Sequence, residues 1–209
     1  MTSSNTFKGL STDITAPWVG SINTKPRTLT DKRAKELYGN PTDEGGGPSK
    51  DWVLRNTVEC HGDKVLVGRA GRRRERLPGV PERLYVTVHA KVEAKLRLAL
   101  ERVAQVAPRF QIGRLGCHNY RNRQSDPDAD LSIHAYAAAV DINSAANAAK
   151  RFEAGQEPAP WSAAWLELWP PSKGGIIEPV VLAFESCGWA WGGRWRRYVD
   201  PMHFELVEP

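Results

Sequence analysis

Two short segments far apart in the chain carry side chains able to hold a metal ion. One is Ser132-Ile-His134 with Asp141 seven residues further on; the other is Asp200-Pro-Met-His203-Phe-Glu205, close to the C-terminus. Two imidazoles and one carboxylate leave the fourth position of a tetrahedral Zn²⁺ open to water, as in hydrolytic rather than structural zinc sites. Asp200 stands three residues before the last histidine, near enough to take a proton from that water. Taken singly, a His and an Asp seven apart, or Asp-x-x-His, is a chance spacing. The combination carries more weight, because Asp141 and His203 fall in the apolar, strand-like runs Ala139-Val-Asp141-Ile142 and His203-Phe-Glu205-Leu-Val207. Short buried strands hold ligands rigidly.

The elements around these residues can be read from periodicity and punctuation. Pro201 disfavours helical geometry at Asp200, so the carboxylate is expected on an extended segment leading straight into the His203 strand. Glu205, two residues beyond His203, shares its face and is a candidate partner for an imidazole N–H. Thr30 to Tyr38 reads as a short helix capped by Thr30, Gly39 to Lys50 as a loop, and Asp51 to Val67 as strand-like pieces including Val65-Leu-Val67. From Glu82 to Ala107 the spacing of Val88, Val92, Leu96, Leu100 and Val103 predicts one long amphipathic helix, with His89 a structural residue inside it and Pro108 ending it. A strand over Phe110 to Leu115 and another over Ala139 to Asn143 follow, and the chain after Asn143 is either a mobile loop or the start of a helix over Ala145 to Phe152. A helix over Ala163 to Trp169 sits in a Trp/Pro-rich insertion, and a second core helix over Glu178 to Cys187 ends at Gly188, where a left-handed cap suits glycine. Trp-Gly-Gly then turns into the last strand. The expected fold is α+β: a small antiparallel sheet carrying the ligands, packed against helices.

At these positions the chain resembles a known family. Ser132-x-His134, Ala139-x-Asp141-Ile-Asn143, Trp189-x-Trp191-Gly-Gly-x-Trp195 and Asp200-x-Met-His203-Phe-Glu205 are similar to the zinc peptidases of bacterial peptidoglycan. That group comprises D-alanyl-D-alanine carboxypeptidases and endolysin-type L-alanyl-D-glutamate endopeptidases, on a fold shared with the Hedgehog signalling domain. The pattern spans about residues 80 to 209, which suggests an N-terminal arm and loop over 1–50, packed on the domain or free, and a peptidase domain over 51–209. The resemblance implies one Zn²⁺ held by His134, Asp141 and His203, with Asp200 as catalytic base. It also implies that Arg121, in Asn119-Tyr-Arg121, binds the substrate carbonyl or oxyanion, with Arg123 as the alternative because the insert 124–130 blurs the register. Asp200-x-x-His203-Phe-Glu205 is closer to the L-alanyl-D-glutamate branch than to the carboxypeptidases, where glutamate is more often the base. The resemblance therefore implies an endopeptidase cutting stem peptides, of phage or prophage origin.

There are departures. Ala137 occupies a place where the family usually has glycine, and a positive φ there costs an alanine about 1 kcal/mol. Asn143-Ser and Asn147-Ala keep the family's asparagines without its prolines.

Other readings stand beside these. His134 taken alone can be a core histidine and Asp141 a turn residue at a strand end. Ser132 reads as a loop or capping hydroxyl, since the Gly-x-Ser-x-Gly elbow of serine hydrolases is missing, but it is also a candidate substrate contact. Trp189, Trp191 and Trp195 are packing residues or, for Trp191 and Trp195, the wall of a substrate cleft. The dipeptides Cys60-His61 and Cys117-His118 lack the Cys-x-x-Cys spacing of structural zinc sites. Three cysteines cannot all pair, and thiols are the simpler state.

At 209 residues and 41% hydrophobic content, the chain is long enough for a real core. The net charge of +5 suits an anionic partner, for which bacterial peptidoglycan and its envelope are as good a fit as nucleic acid. The cluster Arg69 to Arg76 is a solvated loop or a phosphate contact. Met1 to Leu10 is polar, and no run of eighteen apolar residues occurs, so neither an export signal nor membrane insertion is expected. The expectation is a monomer made in the cytoplasm that reaches the wall after holin-dependent release or as part of a virion. Its rivals are a carboxypeptidase, a non-enzymatic zinc-binding wall-recognition module and, more weakly, a nucleic-acid binder.

Overall fold

The central strands β5 (Ala139–Ile142) and β9 (His203–Leu206) are buried along nearly their whole length, which is why both read as short apolar runs without alternation. They belong to a four-stranded antiparallel sheet with the order β4-β5-β9-β7, where β4 is Leu115–Gly116 and β7 is Trp189–Trp191. The computed structural model describes residues 28–62, 74–81 and 83–207. Around this sheet run α1 (Asp31–Tyr38), α2 (Lys50–Asn56), β1 (Thr57–His61), β2 (Arg74–Arg76), β3 (Tyr85–His89), α3 (Ala90–Val106), β6 (Lys150–Arg151), α4 (Ala163–Leu168), α5 (Glu178–Glu185) and β8 (Tyr198–Val199). Strands β2, β1 and β3 form a second sheet, and β6 pairs with β8. The architecture is α+β, as expected, with the candidate ligands Asp141 and His203 on the antiparallel sheet.

Helices α3 and α5 pack on each other, α5 against β7 of that sheet and α3 against β1 and β3 of the second sheet. The buried face of α3 is Val92, Leu96, Ala99, Leu100 and Val103, the i, i+4 stripe of its sequence. Phe184 of α5 meets Phe204 of β9 with ring centroids 4.4 Å apart, so a single aromatic contact joins helix layer to ligand strand. As expected, α5 is followed by Gly188 in a left-handed conformation (φ 90°).

Several expectations are corrected. The long helix over Glu82 to Ala107 is instead a strand followed by a helix: Tyr85-Val-Thr-Val-His89 alternates with period two and pairs with β1, and α3 begins only at Ala90. His89 is the N-cap of α3, accepting from the Lys91 amide at 3.1 Å, while its Nε2 meets the Tyr38 carbonyl at 3.2 Å, so it is structural but not helical. The strand-like reading of Asp51 onward fails over α2, which Ser49 caps by accepting from the Trp52 amide. Val65 to Val67 and Arg69 to Arg73 lie outside the described residues. Phe110 to Leu115 is not a strand, because Asn143 Oδ1 accepts from the Gly113 and Arg114 amides at 2.8 and 3.1 Å, and only Leu115–Gly116 joins the sheet. No helix forms over Ala145 to Phe152. There Asn147 braces a series of turns, its Nδ2 donating to the Asn143 and Gly174 carbonyls and its Oδ1 accepting from the Ile176 amide.

The segment before β1 is tied to the domain. Thr30 caps α1, accepting from the Arg33 amide at 3.2 Å, as its sequence predicts. Leu29, Ala34 and Tyr38 are buried, Tyr38 Oη donates to the Leu206 carbonyl, and Tyr136 Oη donates to Asp31. The Tyr136→Phe substitution removes one hydrogen bond to a carboxylate and is expected to cost about 1.5–3 kcal/mol in urea unfolding. A loss below about 0.5 kcal/mol would show that α1 is held by apolar packing alone.

Candidate metal centre and cleft

Antiparallel register brings the first two ligands together. Asp141 and His203 are directly opposed partners of β5 and β9, so their side chains rise from the same face. On its other side Asp141 faces Gly116, whose missing side chain leaves the space above the carboxylate open. His134 comes from the 3-10 turn Ile133–Tyr136 that precedes β5; Ser132 caps this turn, its Oγ facing the His134 amide at 3.4 Å. Ala137 ends the turn in the left-handed region at φ 52°, the conformation for which the family's glycine is suited.

The three side chains converge. His134 Nε2 lies 3.1 Å from His203 Nδ1 and 3.1 Å from Asp141 Oδ1, and His203 Nδ1 lies 3.3 Å from the same oxygen. Each imidazole is oriented by its other nitrogen: His134 Nδ1 donates to the Cys117 carbonyl at 2.7 Å, and His203 Nε2 meets Glu205 Oε2 at 3.1 Å. With those two positions taken, His134 Nε2, His203 Nδ1 and Asp141 Oδ1 face one another, able to share a proton or to turn their lone pairs to one metal ion. Such a group suits a cation. Ligands at about 2.0–2.1 Å from a tetrahedral zinc are about 3.3–3.4 Å apart, which the observed separations approach. The donor set fits zinc, and each histidine is held from behind as metal-bound histidines are.

The electrostatics point the same way. Burial opposes charge on His203, but Asp141 and Glu205 outweigh it and push the imidazole up to about 10. Burial likewise opposes the Asp141 carboxylate, but His134 and His203 hold it well below the usual carboxylate range. The centre attracts positive charge, as a proton or as a metal ion. Among the described residues, these three form the one His/Cys/Asp/Glu group close enough to hold an ion. Cys60 and Cys117 are buried, belong to no disulfide, and build no rival site among the described residues.

A cleft of about 280 Å³ opens over the centre, lined by Asp200, His203, Arg121, Trp195, Arg196 and Tyr198 among others. Burial pushes the Asp200 carboxyl up to about 6, and its Oδ1 is buried without a hydrogen-bond partner. Asp200 is not on a straight extension of β9. The His203 amide donates to the Asp200 carbonyl at 3.2 Å, closing a turn with Pro201 at its second position, where proline is favoured. That turn folds the carboxylate back over the histidine.

The other candidates separate. Arg121 lines the cleft, and the one hydrogen bond of its guanidinium among the described residues is a 3.4 Å contact to the Asn122 carbonyl. Arg123 also borders the cleft, but its guanidinium donates to the Leu29 carbonyl. Ser132 is a buried cap at the cleft floor, and Trp195 lies with its ring 5.1 Å from that of His203. Trp191 as a cleft wall is corrected: it is 1% exposed, stacks on Trp161 and donates to the Pro201 carbonyl at 2.8 Å, so it supports the Asp200 turn from beneath. Sequence reasoning missed Tyr198, Arg196 and Thr28 as cleft residues, and also the Cys117 carbonyl. Tyr198 stands two residues before Asp200, a signal that was available; a backbone carbonyl leaves none.

Comparison with known families matches residues 125–206 to the model for D-alanyl-D-alanine carboxypeptidase. The matched stretch contains His134, Asp141, Asp200 and His203 and begins just after Arg121 and Arg123. It supports a peptidase similar to those carboxypeptidases. No curated protein and no solved structure gives a significant match.

Gly192 accounts for the close approach of the Asp200 turn. A Cβ there would lie 2.6 Å from the Asp200 carbonyl oxygen and 3.2 Å from His203 Cβ. The Gly192→Ala substitution is expected to push the turn outward, lowering stability by about 1–3 kcal/mol and zinc affinity with it. Unchanged thermal midpoint and unchanged zinc affinity would mean that the turn yields freely.

Proposed function

We propose that this protein is a zinc-dependent peptidase that cleaves the stem peptides of bacterial peptidoglycan, as an endopeptidase of the L-alanyl-D-glutamate type. The observation carrying this reading is the convergence of His134 Nε2, His203 Nδ1 and Asp141 Oδ1 at 3.1–3.3 Å, beside a buried and unpartnered Asp200 oxygen in the same cleft. His134, Asp141 and His203 would hold a zinc ion, which would supply Lewis acidity toward water and the scissile carbonyl. Asp200 takes a proton from the attacking water and passes it to the leaving amine nitrogen, so that hydrolysis yields one new carboxylate and one new amine. Arg121 stabilises the carbonyl oxygen as negative charge builds on it. Cys117 and Glu205 keep both imidazoles oriented throughout.

An internal cut is favoured by the shape of the cleft. It adjoins a second hollow, lined by Pro158, Ala159 and Pro160 and sharing Trp195 and Arg196, so an extended chain can continue past the reacting bond. The second reading is a carboxypeptidase releasing terminal D-alanine, favoured by the family match and by the free cations of the cleft. Mass spectrometry of digested sacculi separates the two, because an endopeptidase frees stem fragments and a carboxypeptidase frees only D-alanine. The proposal extends to a setting in phage or prophage lysis, with release to the wall through a holin, or as a virion component. The net charge of +5 suits an anionic envelope, and no helix among the described residues is long and apolar enough to cross a membrane.

The Asp200→Asn substitution is expected to retain zinc and lower turnover by about 10²–10⁴-fold, whereas His203→Ala loses zinc. Near-native turnover by Asp200→Asn on purified peptidoglycan would remove Asp200 from the role of base. The pH dependence follows from the same carboxyl. Asp200 works ionised and its value is raised to about 6, so kcat/KM is expected to fall as pH drops through about 6, or somewhat lower once a cation sits nearby. A raised carboxyl favours the protonated folded state, so the penalty is present above about 6 and gone below about 4. Metal-free Asp200→Asn is therefore expected to be more stable than the parent protein at pH 8, by on the order of 2 kcal/mol, with the gain fading toward pH 4. An equal difference at both pH values, in urea titrations, would refute the linkage.

A further inference from the structure

The carboxylate behind His203 is itself held from an unexpected direction. Glu205 Oε2 meets His203 Nε2 at 3.1 Å, and Glu205 Oε1 accepts from the Leu29 amide at 2.6 Å, across 176 residues of sequence. The carbonyl of the same Leu29 accepts from the Arg123 guanidinium. Leu29 and Glu205 are 6% and 1% exposed, so water does not replace these partners. On the neighbouring strands Glu205 faces Ala139 and Ala190, whose small side chains leave its carboxylate free to turn. Among the described residues two donors hold it, the His203 imidazole and the Leu29 N–H.

We propose that Arg123 and the Leu29 backbone form a positioning clamp for the metal centre, fixing Glu205 and through it the metal-facing Nδ1 of His203. The inference rests on the zinc-site reading above, but not on the identity of the substrate. Arg123 acts on no reacting atom. It anchors the Leu29 residue whose amide fixes the Glu205 carboxylate, and a guanidinium on the carbonyl side restrains the chain as it crosses the back of the site. The segment just before α1 is thereby part of the metal centre rather than a detachable arm. The clamp also gives the two arginines different work, with Arg121 free toward the cleft and Arg123 spent on the backbone.

The test is zinc affinity, measured by competition with a chromophoric chelator, together with the visible spectrum of the Co²⁺-substituted protein. Both need no substrate. Glu205→Gln is expected to weaken zinc by about 10–100-fold, since its NH2 replaces one of the two accepting oxygens and leaves a donor facing a donor. Arg123→Ala is expected to weaken it by about 3–10-fold and to alter the Co²⁺ spectrum, and Arg123→Lys, which can still donate to the Leu29 carbonyl, to recover most of the loss. Zinc affinity and Co²⁺ spectrum unchanged in Arg123→Ala would overturn the clamp, as would a lowered unfolding midpoint with neither metal property altered. If Arg123→Ala does not fold, Arg123→Lys and Glu205→Gln decide by the same criteria, unaltered affinity in Glu205→Gln again overturning it. These shifts in a protein that cuts no stem peptide would sink the peptidase reading and leave the clamp standing. Absence of zinc binding by the parent protein would end both.

Discussion

Two imidazole nitrogens and a carboxylate oxygen held within 3.3 Å of one another set the terms for the rest of this domain. Without a shared proton or metal ion such an arrangement is repulsive, and a fold maintains it only where a cation enters or where the surroundings leave the side chains no alternative. The second condition operates here. The Cys117 carbonyl and the Glu205 carboxylate take the outward ring nitrogens, so neither imidazole can rotate to hide its lone pair without losing a buried partner. The opposition of Asp141 to His203 is a consequence of strand register, and a shift of one residue would turn both side chains to the other face.

That register is pinned at both ends of β5 by residues in the left-handed region, Ala137 at φ 52° and Asn143 at φ 50°. The alanine costs about 1 kcal/mol relative to a glycine free of strain. What it accomplishes is a sharp exit from the His134 turn, with the Ala137 and Ala138 amides both bonded back into that turn. Asn143 does the same at the other end: its side chain accepts from two amides of the Gly113–Arg114 loop and donates to the Gln111 carbonyl, so the loop after the strand is braced without the family's prolines. Strain in the backbone is thus balanced by side-chain hydrogen bonds a few residues away.

The cluster of candidate ligands was legible because metal chemistry restricts residue types and because strands β5 and β9 are short and apolar. Glu205 was legible as well, from the two-residue period of a strand. The failures have physical causes. The alternation of Tyr85 to His89 was absorbed into a helical pattern because Val88 and Val92 fit an i, i+4 stripe across the boundary, and only the pairing with β1, a tertiary event, breaks it. Phe110 to Leu115 looked like a strand, yet its amides are claimed by a distant asparagine. Trp191 and Trp195 are alike in sequence but differ in burial, a distinction that depends on Trp161 arriving from the insertion to cover one of them. The Leu29 contact was invisible for a simpler reason: backbone amides have no letter.

Asp200 illustrates how the domain uses burial against its own stability. A carboxyl in water, near 4, is ionised at neutral pH but a poor base, because a base gains strength with its pKa. A carboxyl raised far above 7 would be stronger but protonated and idle. At about 6, and lower with a cation nearby, the group is mostly ionised at pH 7 and yet more basic than its exposed counterpart, which suits the proposed role of base. Reaching that value takes a buried oxygen without a partner, and the fold supplies it with a turn closed by Pro201, a glycine that lets the turn approach, and an indole beneath. Adding a donor to satisfy the oxygen would stabilise the protein and return Asp200 toward an ordinary carboxylate. The missing hydrogen bond is therefore better understood as the feature these neighbours maintain than as a gap they fail to fill.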